Sequence, residues 1–168
     1  DQLLNAVGEG MDLVDQVMPS MLMALSAEAL GIMATLNSIT VDYSKTRQQF
    51  GSPIGSFQVL QHRMVDTFMA CEQAKSMLYR SLCQANECAA DASLDKGELL
   101  KSVHALKATM AKAGKQIGEE AIQLHGGIGL TDELNIGHFV KRLMTINVTL
   151  GDRDFHQKKF NQLSYSSL

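Results

Sequence analysis

Two stretches of this 168-residue chain concentrate the side chains able to do chemistry. The first, KTRQQFGSPIGSFQ (45–58), sets Arg47, Gln49 and Phe50 before a Gly-Ser-Pro-Ile-Gly break and Phe57 and Gln58 after it. Arginine offers a planar fork suited to two phosphate oxygens at once. At a helix end the same cation also complements the macrodipole, so both readings stand. Phe50 and Phe57 are more often core than ligand contacts, and glutamines such as Gln58, Gln61 and Gln123 are usually solvated. The second stretch, QLHGGIGLT (123–131), follows a helical pattern. It is therefore not the strand-to-helix glycine loop of a Rossmann site. One glycine suffices to end a helix. Gln123, the pair Gly126 and Gly127, Gly129 and Thr131 together point to bare amides that a phosphate or an adenine can approach.

The histidines, His62, His104, His125, His138 and His156, are scattered. Only Asp152, Asp154 and His156 cluster loosely, and we expect no metal. No nucleophile elbow or Ser-His-Asp order is visible.

Helices must position these stretches. Apolar residues recur in steps of three and four from Pro19 to Lys45, through Met21, Leu22, Leu25, Ala29, Ile32, Met33, Leu36, Ile39 and Tyr43. Pro19 suits a first turn or a kink, because it lacks an amide donor; Asp12–Val17 is a short helix or loop. Ser56 is a candidate N-cap for a second helix carrying Phe57, Leu60, Met64, Phe68, Cys71, Leu78 and Leu82, fraying between Asn86 and Asp95. A third runs from about Leu99 to Leu124, with Val103, Leu106, Met110, Ala113, Ile117, Ala121 and Leu124 on one face. Its Gly114 and Gly118 suggest close approach of a neighbour. Gly126 or Gly127 supplies a left-handed cap. Thr131 or Asp132 opens a fourth helix reaching about Thr149, and a short helix from Asp154 to Leu163 follows Gly151–Asp152. The expectation is all-α: an antiparallel four-helix bundle, one domain over residues 1–168.

Aliphatics, Ala and Met dominate, and β-branched and aromatic runs are scarce. The net charge of −3 is spread without a basic block, which argues against nucleic acid. Cys71, Cys83 and Cys88 lack metal or disulfide spacing; free thiols suit a reducing compartment such as the cytoplasm. Met18–Leu36 approaches a membrane span in length, but Glu28 near its centre and the absence of flanking cationic clusters favour a helix buried on most sides within a bundle. The start, DQLLNAVGEG, has no methionine and looks cut from something longer.

Taken together, YSKTRQQFGSPIGSFQVLQH (43–62), AIQLHGGIGLTDEL (121–134) and HFVKRLMTINVTLGD (138–152) resemble the C-terminal helical domain of the acyl-CoA dehydrogenase flavoproteins. TLGDRDFH (149–156) further resembles the branch of the pimeloyl-CoA dehydrogenase small subunit. The resemblance implies a C-terminal fragment of a longer flavoprotein that desaturates an acyl-CoA and holds FAD. It also implies a homo- or hetero-oligomer, dimer or tetramer, with shared FAD sites, and an electron-transferring flavoprotein as electron acceptor. Carried over, Arg47 meets the FAD pyrophosphate, with Gln49 and Phe50 beside it. Phe57 and Gln58 lie near the adenosine half. Gln123, Gly126 and Gly127 close over the dinucleotide of the partner chain. The two turns are expected at opposite ends of antiparallel helices, meeting between protomers.

One departure matters. The family's usual base, a Glu before Gly-Thr, aligns with Leu150 before Gly151 and Asp152. A second family position, near Met21, also lacks a carboxylate. Either Asp152 serves as the base, or this chain is the non-catalytic partner in a heteromer whose other chain supplies a Glu. Glu28 is read as a satisfied buried acid. Two rivals remain: a helical interaction module without enzymatic role, using Met-rich faces, and a flavin oxidase of nitroalkanes or sulfur compounds built on the same fold.

Overall fold

The computed structural model describes residues 10–91, 93 and 96–165. In chain order these form α1 (Gly10–Thr46), a hairpin of β1 (Gln48–Gln49) and β2 (Ser52–Pro53), and a 3-10 turn (Ile54–Ser56). Then come α2 (Gln58–Ala90), α3 (Lys96–His125), a second 3-10 turn (Gly126–Leu130), α4 (Ile136–Val148) and α5 (Arg153–Tyr165). The all-α expectation holds, with the antiparallel bundle made by α1 to α4.

Residue pairs across the interfaces fix the directions. Between α2 and α3, Ser81 bonds Ser102 and Arg63 pairs with Glu120, so one number falls as the other rises and the helices run antiparallel. Between α3 and α4, Gly114 faces Leu143 and Gly118 faces Val140, again antiparallel. Between α1 and α3 both numbers rise together: Met33 lies near Gly114 and Tyr43 stacks on His125. These two helices are parallel, so their C-terminal ends are side by side. The turn after α1 and the turn after α3 thus share one end of the bundle, which corrects the expectation of opposite ends. Short reversals between consecutive helices enforce it, since α1 and α3 are alternate members.

The core follows the helical period on α3, where Val103, Leu106, Met110, Ala113, Ile117, Ala121 and Leu124 are all buried. On α1 the buried line is Leu22, Ser26, Ala29, Met33, Leu36, Thr40 and Ser44. On α2 the expected stripe is displaced. Small residues, Thr67, Cys71, Ala74 and Ser81, face the core with Leu78, while Phe68 and Leu82 are exposed. Small side chains let the backbones approach, as the 2.7 Å Ser81–Ser102 bond requires, and hydrophobicity alone does not report that.

Several boundaries differ from expectation. α1 begins at Gly10 and carries Pro19 inside it. Phe57, not Ser56, is the N-cap of α2; the Ser56 hydroxyl donates instead to Pro53 O (2.7 Å). α4 starts at Ile136 behind Asn135, because Gly126–Leu130 winds as a 3-10 turn in which the Thr131 hydroxyl donates to Ile128 O (2.9 Å). Leu13–Thr46 is long and apolar enough to cross a membrane, and 28% of its most apolar window is buried, so α1 is not covered on most sides within this chain. Glu28 is satisfied but not buried: Arg142 of α4 grips both its oxygens at 2.6 and 2.8 Å, holding its carboxyl below the usual range.

The α4–α5 turn is held from within. The Lys107 ammonium, 1% exposed, donates to Ile146 O (2.9 Å), Asn147 O (3.2 Å) and Gly151 O (3.1 Å). His156 is fully buried, and its Nε2–H donates to Leu150 O (3.1 Å). Its Nδ1 then accepts from His104 Nδ1–H at 2.8 Å. Leu150 and Gly151 both have positive φ, 61° and 109°.

Two outcomes follow for stability. A Cβ on Gly118 would meet the Val140 methyls at 3.5 Å, ordinary contact, so Gly118→Ala should stabilise by up to about 1 kcal/mol through helix propensity. A Cβ on Gly151 would sit 2.5 Å from Phe155 Cδ1, at a φ that L residues resist, so Gly151→Ala should destabilise by roughly 2 kcal/mol or more in urea melts. Equal midpoints for the two variants would contradict this turn geometry.

Acid should act through His156. Burial first, then His104 and Lys107, push its pKa from 6.5 to about 4, against the opposing pull of Leu150 O and Asp152. Between those values the unfolded chain binds a proton that the folded chain refuses, so stability should fall as pH drops from about 6.5 to 4. His156→Gln should flatten that slope in urea melts taken across the window; an unchanged slope would place the titration elsewhere.

Candidate functional site

The end of the bundle shared by α1 and α3 presents two turns. The first is a β-hairpin whose register, Gln48 opposite Pro53 and Gln49 opposite Ser52, leaves Phe50 and Gly51 as a two-residue turn. Both have positive φ, 55° and 80°, the conformation of a type I′ turn. A phenylalanine at the first position is unusual there, since Asn or Gly adopts it with less strain. Phe50 is nonetheless 92% exposed, touching Phe57 edge-on with ring centroids 6.2 Å apart.

The base of the hairpin is tied firmly. Arg47 N donates to Tyr43 O (2.9 Å), and Ile54 N donates to Arg47 O (2.8 Å). Gly55 lies so close to α1 that a Cβ would come within 2.9 Å of Ser44 Oγ. Gln61 Nε2 donates to Gly55 O (2.8 Å), tying the turn to α2. The Arg47 backbone is thus held twice, while among the described residues its exposed guanidinium has neither ion pair nor hydrogen bond.

The second turn caps α3. Gly126 takes φ +64°, the left-handed cap expected of it or of Gly127. Gly129 folds back onto the helix, where a Cβ would meet His125 Cβ at 3.0 Å and Ile122 O at 3.1 Å. Gly127 is different: its φ is not left-handed and a Cβ would meet nothing within 4 Å. Nothing among the described residues requires a glycine there.

Tyr43 and His125 join the two turns. Their rings stack at 4.3 Å with 28° between planes, and the Tyr43 hydroxyl donates to His125 O at 3.4 Å. His125 Nδ1–H donates to Ala121 O (2.7 Å), which leaves its buried Nε2 without a partner among the described residues. Around this stack Arg47, Gln49, Phe50, Gln58, Gln123, Gly126 and Gly127 are exposed and Phe57 half-buried. An unpaired cation, an exposed ring and amides free of Cβ cover lie at one end of one chain.

Asp152 lies elsewhere. Its turn packs against Lys107, whereas the glycine turn follows His125, 18 residues along α3 (125 − 107), or about 27 Å at 1.5 Å per residue. The Asp152 carboxylate is exposed and accepts from Phe155 N (2.8 Å), as the N-cap of α5. It borders an open groove of about 500 Å³ lined by charged residues, among them Lys112, Lys115, Glu119 and Arg153. Leu150, aligned with the base of the resembled family, is half-buried against the core. His156 turns inward to His104 and Leu150 O, away from Asp154.

Sequence reasoning missed Lys107, the His104–His156 pair and the Tyr43–His125 stack. A signal existed for the first: Lys107 interrupts the apolar line Val103, Met110, Gly114 at helical spacing, where a cation belongs only if buried acceptors await it.

The chain is similar to known proteins along most of its length. Residues 8–159 match the family model described as acyl-CoA dehydrogenase, C-terminal domain. It is 36% identical over 118 residues to acyl-CoA dehydrogenase IpdE2 of Mycolicibacterium smegmatis, covering 70% of this chain and 34% of that one. It is 33% identical over 136 residues to the L-prolyl-[peptidyl-carrier protein] dehydrogenase of a Serratia species, covering 80% of this chain and 33% of that one. A solved structure described as PigA with FAD and proline superposes with a TM-score of 0.77 at 28% identity, covering 86% of this chain and 36% of that chain. The chain therefore spans about a third of the length of these relatives. With the bundle, the hairpin and the glycine turn all inside residues 8–159, the chain belongs to the acyl-CoA dehydrogenase family and corresponds to its C-terminal domain.

Proposed function

We propose that this chain is the C-terminal FAD-binding and oligomerisation domain of an acyl-CoA dehydrogenase, an oxidoreductase that introduces an α,β double bond into an acyl-CoA thioester. The observation that supports the reading is the Tyr43–His125 stack, which joins the bases of two turns at one end of the bundle, one carrying an arginine and the other a glycine, both without a partner or packing role among the described residues. That donor set suits a dinucleotide. Arg47 would hold the pyrophosphate, with Gln49 and Phe50 flanking it and Phe57 and Gln58 near the adenosine. Gln123, Gly126 and Gly127 would close over it with bare amides. The flavin, when bound, supplies the acceptor for the β-hydride.

The separation of about 27 Å along α3 supports sharing between protomers. It exceeds the reach from a flavin's phosphates to its ring, so one chain's turns would hold the phosphates of one FAD while its Leu150–Asp152 turn serves another. The oligomer, dimer or tetramer, is then part of the site, made with a second copy or with a related chain. The carboxylate that removes the α-proton is Asp152 or a Glu of that other chain. Electrons would pass on to an electron-transferring flavoprotein, in the cytoplasm, where Cys71, Cys83 and Cys88 stay reduced.

In the full-length protein, Arg47→Ala should weaken FAD retention by about 10- to 100-fold, the range of a lost charged hydrogen bond. Gly127→Ala should leave the melting midpoint of the apoprotein unchanged, because its Cβ enters open space, yet loosen FAD. FAD retention unaffected by both would favour the interaction module without enzymatic role.

Mixing variants tests the sharing. Arg47→Ala and Asp152→Asn chains, each inactive in flavin bleaching by a panel of acyl-CoAs, should regain about one quarter of wild-type activity when reassembled together. Half of random dimers are mixed, and each has one intact site of two. No regain would place both residues at one site. Full bleaching by Asp152→Asn alone would assign the base to the other chain. Rapid reoxidation of the flavin by oxygen, with no transfer to an electron-transferring flavoprotein, would favour the oxidase.

A further inference from the structure

We propose that Lys107, with the His104–His156 pair, is a positioning device for the Leu150–Asp152 turn, fixing its backbone against the reacting end of the acyl thioester. The inference rests on the function proposed above, which puts this turn beside the substrate.

The case begins with the other helix ends. α2 ends with Asp91 N donating to Glu87 O, and α3 ends on a left-handed glycine with one longer bond from outside, the Tyr43 hydroxyl to His125 O at 3.4 Å. The end of α4 has the same backbone bond, Thr149 N to Thr145 O, and adds two buried side chains to it. The carbonyls of Ile146, Asn147 and Gly151 each meet Lys107, and the carbonyl of Leu150 meets His156. Three N–H groups of one ammonium face three oxygens, and one imidazole N–H faces the fourth.

Leu150 shows what this holds. It is not a glycine, yet its φ is +61°, a conformation that persists where the surroundings over-determine it. The next residue, Gly151, has φ +109° and is too close to Phe155 to carry a Cβ. The following carboxylate, Asp152, is then set by the helix it caps. Between α4 and α5 the Leu150 and Gly151 carbonyls are held by residues of α5 and α3, and the Thr149 and Gly151 amides by carbonyls of α4. Ending a helix does not need so much, whereas presenting a group to a reacting carbon does.

The pair also fixes protonation. His156 donates through Nε2 and accepts through Nδ1, so a second proton would require His104 to move its own proton from Nδ1 to Nε2 to keep the 2.8 Å bond. The groups facing the pair are Lys107 on α3, Asp152 at the head of α5 and Lys159 on α5, the last acting on His104. Burial keeps His156 neutral down to about pH 4.

The test uses the full-length flavoprotein in its native oligomer and the CoA thioester that bleaches the wild-type flavin fastest in a panel. Lys107→Met removes the donors and keeps the stem. His156→Gln keeps an amide donor for Leu150 O and carries the same reading if Lys107→Met fails to fold. Val140→Ala, a core truncation away from the turn, controls for lost stability. Lys107→Met should lower kcat by about 10²-fold, the effect of a displacement near 1 Å, with KM and flavin content unchanged. His156→Gln should lower kcat in the same way by a smaller factor, and Val140→Ala should keep kcat at a matching loss of melting midpoint. Loss of kcat in proportion to stability in all three variants, or unaltered kcat in the two turn variants, would overturn the inference alone. A wild-type flavin that no CoA thioester bleaches would overturn the proposed function and the inference with it.

Discussion

Tyr43 lies flat against His125 where α1 and α3 end together, and the geometry of the candidate site depends on that contact. It joins positions 82 residues apart (125 − 43) and can form only because alternate helices of the bundle run parallel. Each turn taken singly is a local device, a two-residue hairpin and a helix cap. The stack ties them to one end of the bundle, where the first carries a cation and the second exposed glycines. Because the partners lie on helices packed along much of their length, the surface is set by the core rather than by flexible loop segments.

The opposite requirement governs the α4–α5 turn. A lysine ammonium in a bundle interior is costly unless its donors are met, and breaking such an arrangement strands buried charge or buried carbonyls. Here the acceptors are the carbonyls that a helix C-terminus leaves open, where a cation also complements the macrodipole. Burial pushes the Lys107 pKa down, and the Asp152 charge pulls it part of the way back. The surface pair Arg142–Glu28, although bidentate, is solvent-screened and reports helix register more than it contributes energy.

Non-glycine residues with positive φ among the described residues are Phe50, in the hairpin turn after α1, and Leu150, in the turn after α4, to each of which a role is proposed above. Phe50 is exposed and Leu150 half-buried, so packing does not account for both. Strain of this kind collects where a chain must present a particular group, and the distribution agrees with the division of labour proposed between the ends of α1 and α4.

Much of this was legible in the residues. The three-and-four spacing on α3 identified its buried face, because a helix packed on several neighbours must be apolar at those steps. The Arg-x-x-Phe-Gly and Gly-Gly stretches marked the turns, since chain reversal and bare amides demand particular residue types. The α2 face was misjudged at Phe68 and Leu82, because small residues that admit a close neighbour look polar or neutral in a hydrophobic pattern. Tertiary structure alone decided that the two turns share one end, that Glu28 stays exposed with Arg142, and that Lys107 and His156 hold the last turn of α4. Local spacing carries helix faces and turns because those are interactions within a few residues. Which turn meets which, and which buried cation finds which carbonyl, depend on contacts some 40 to 110 residues apart that exist only once the helices have packed.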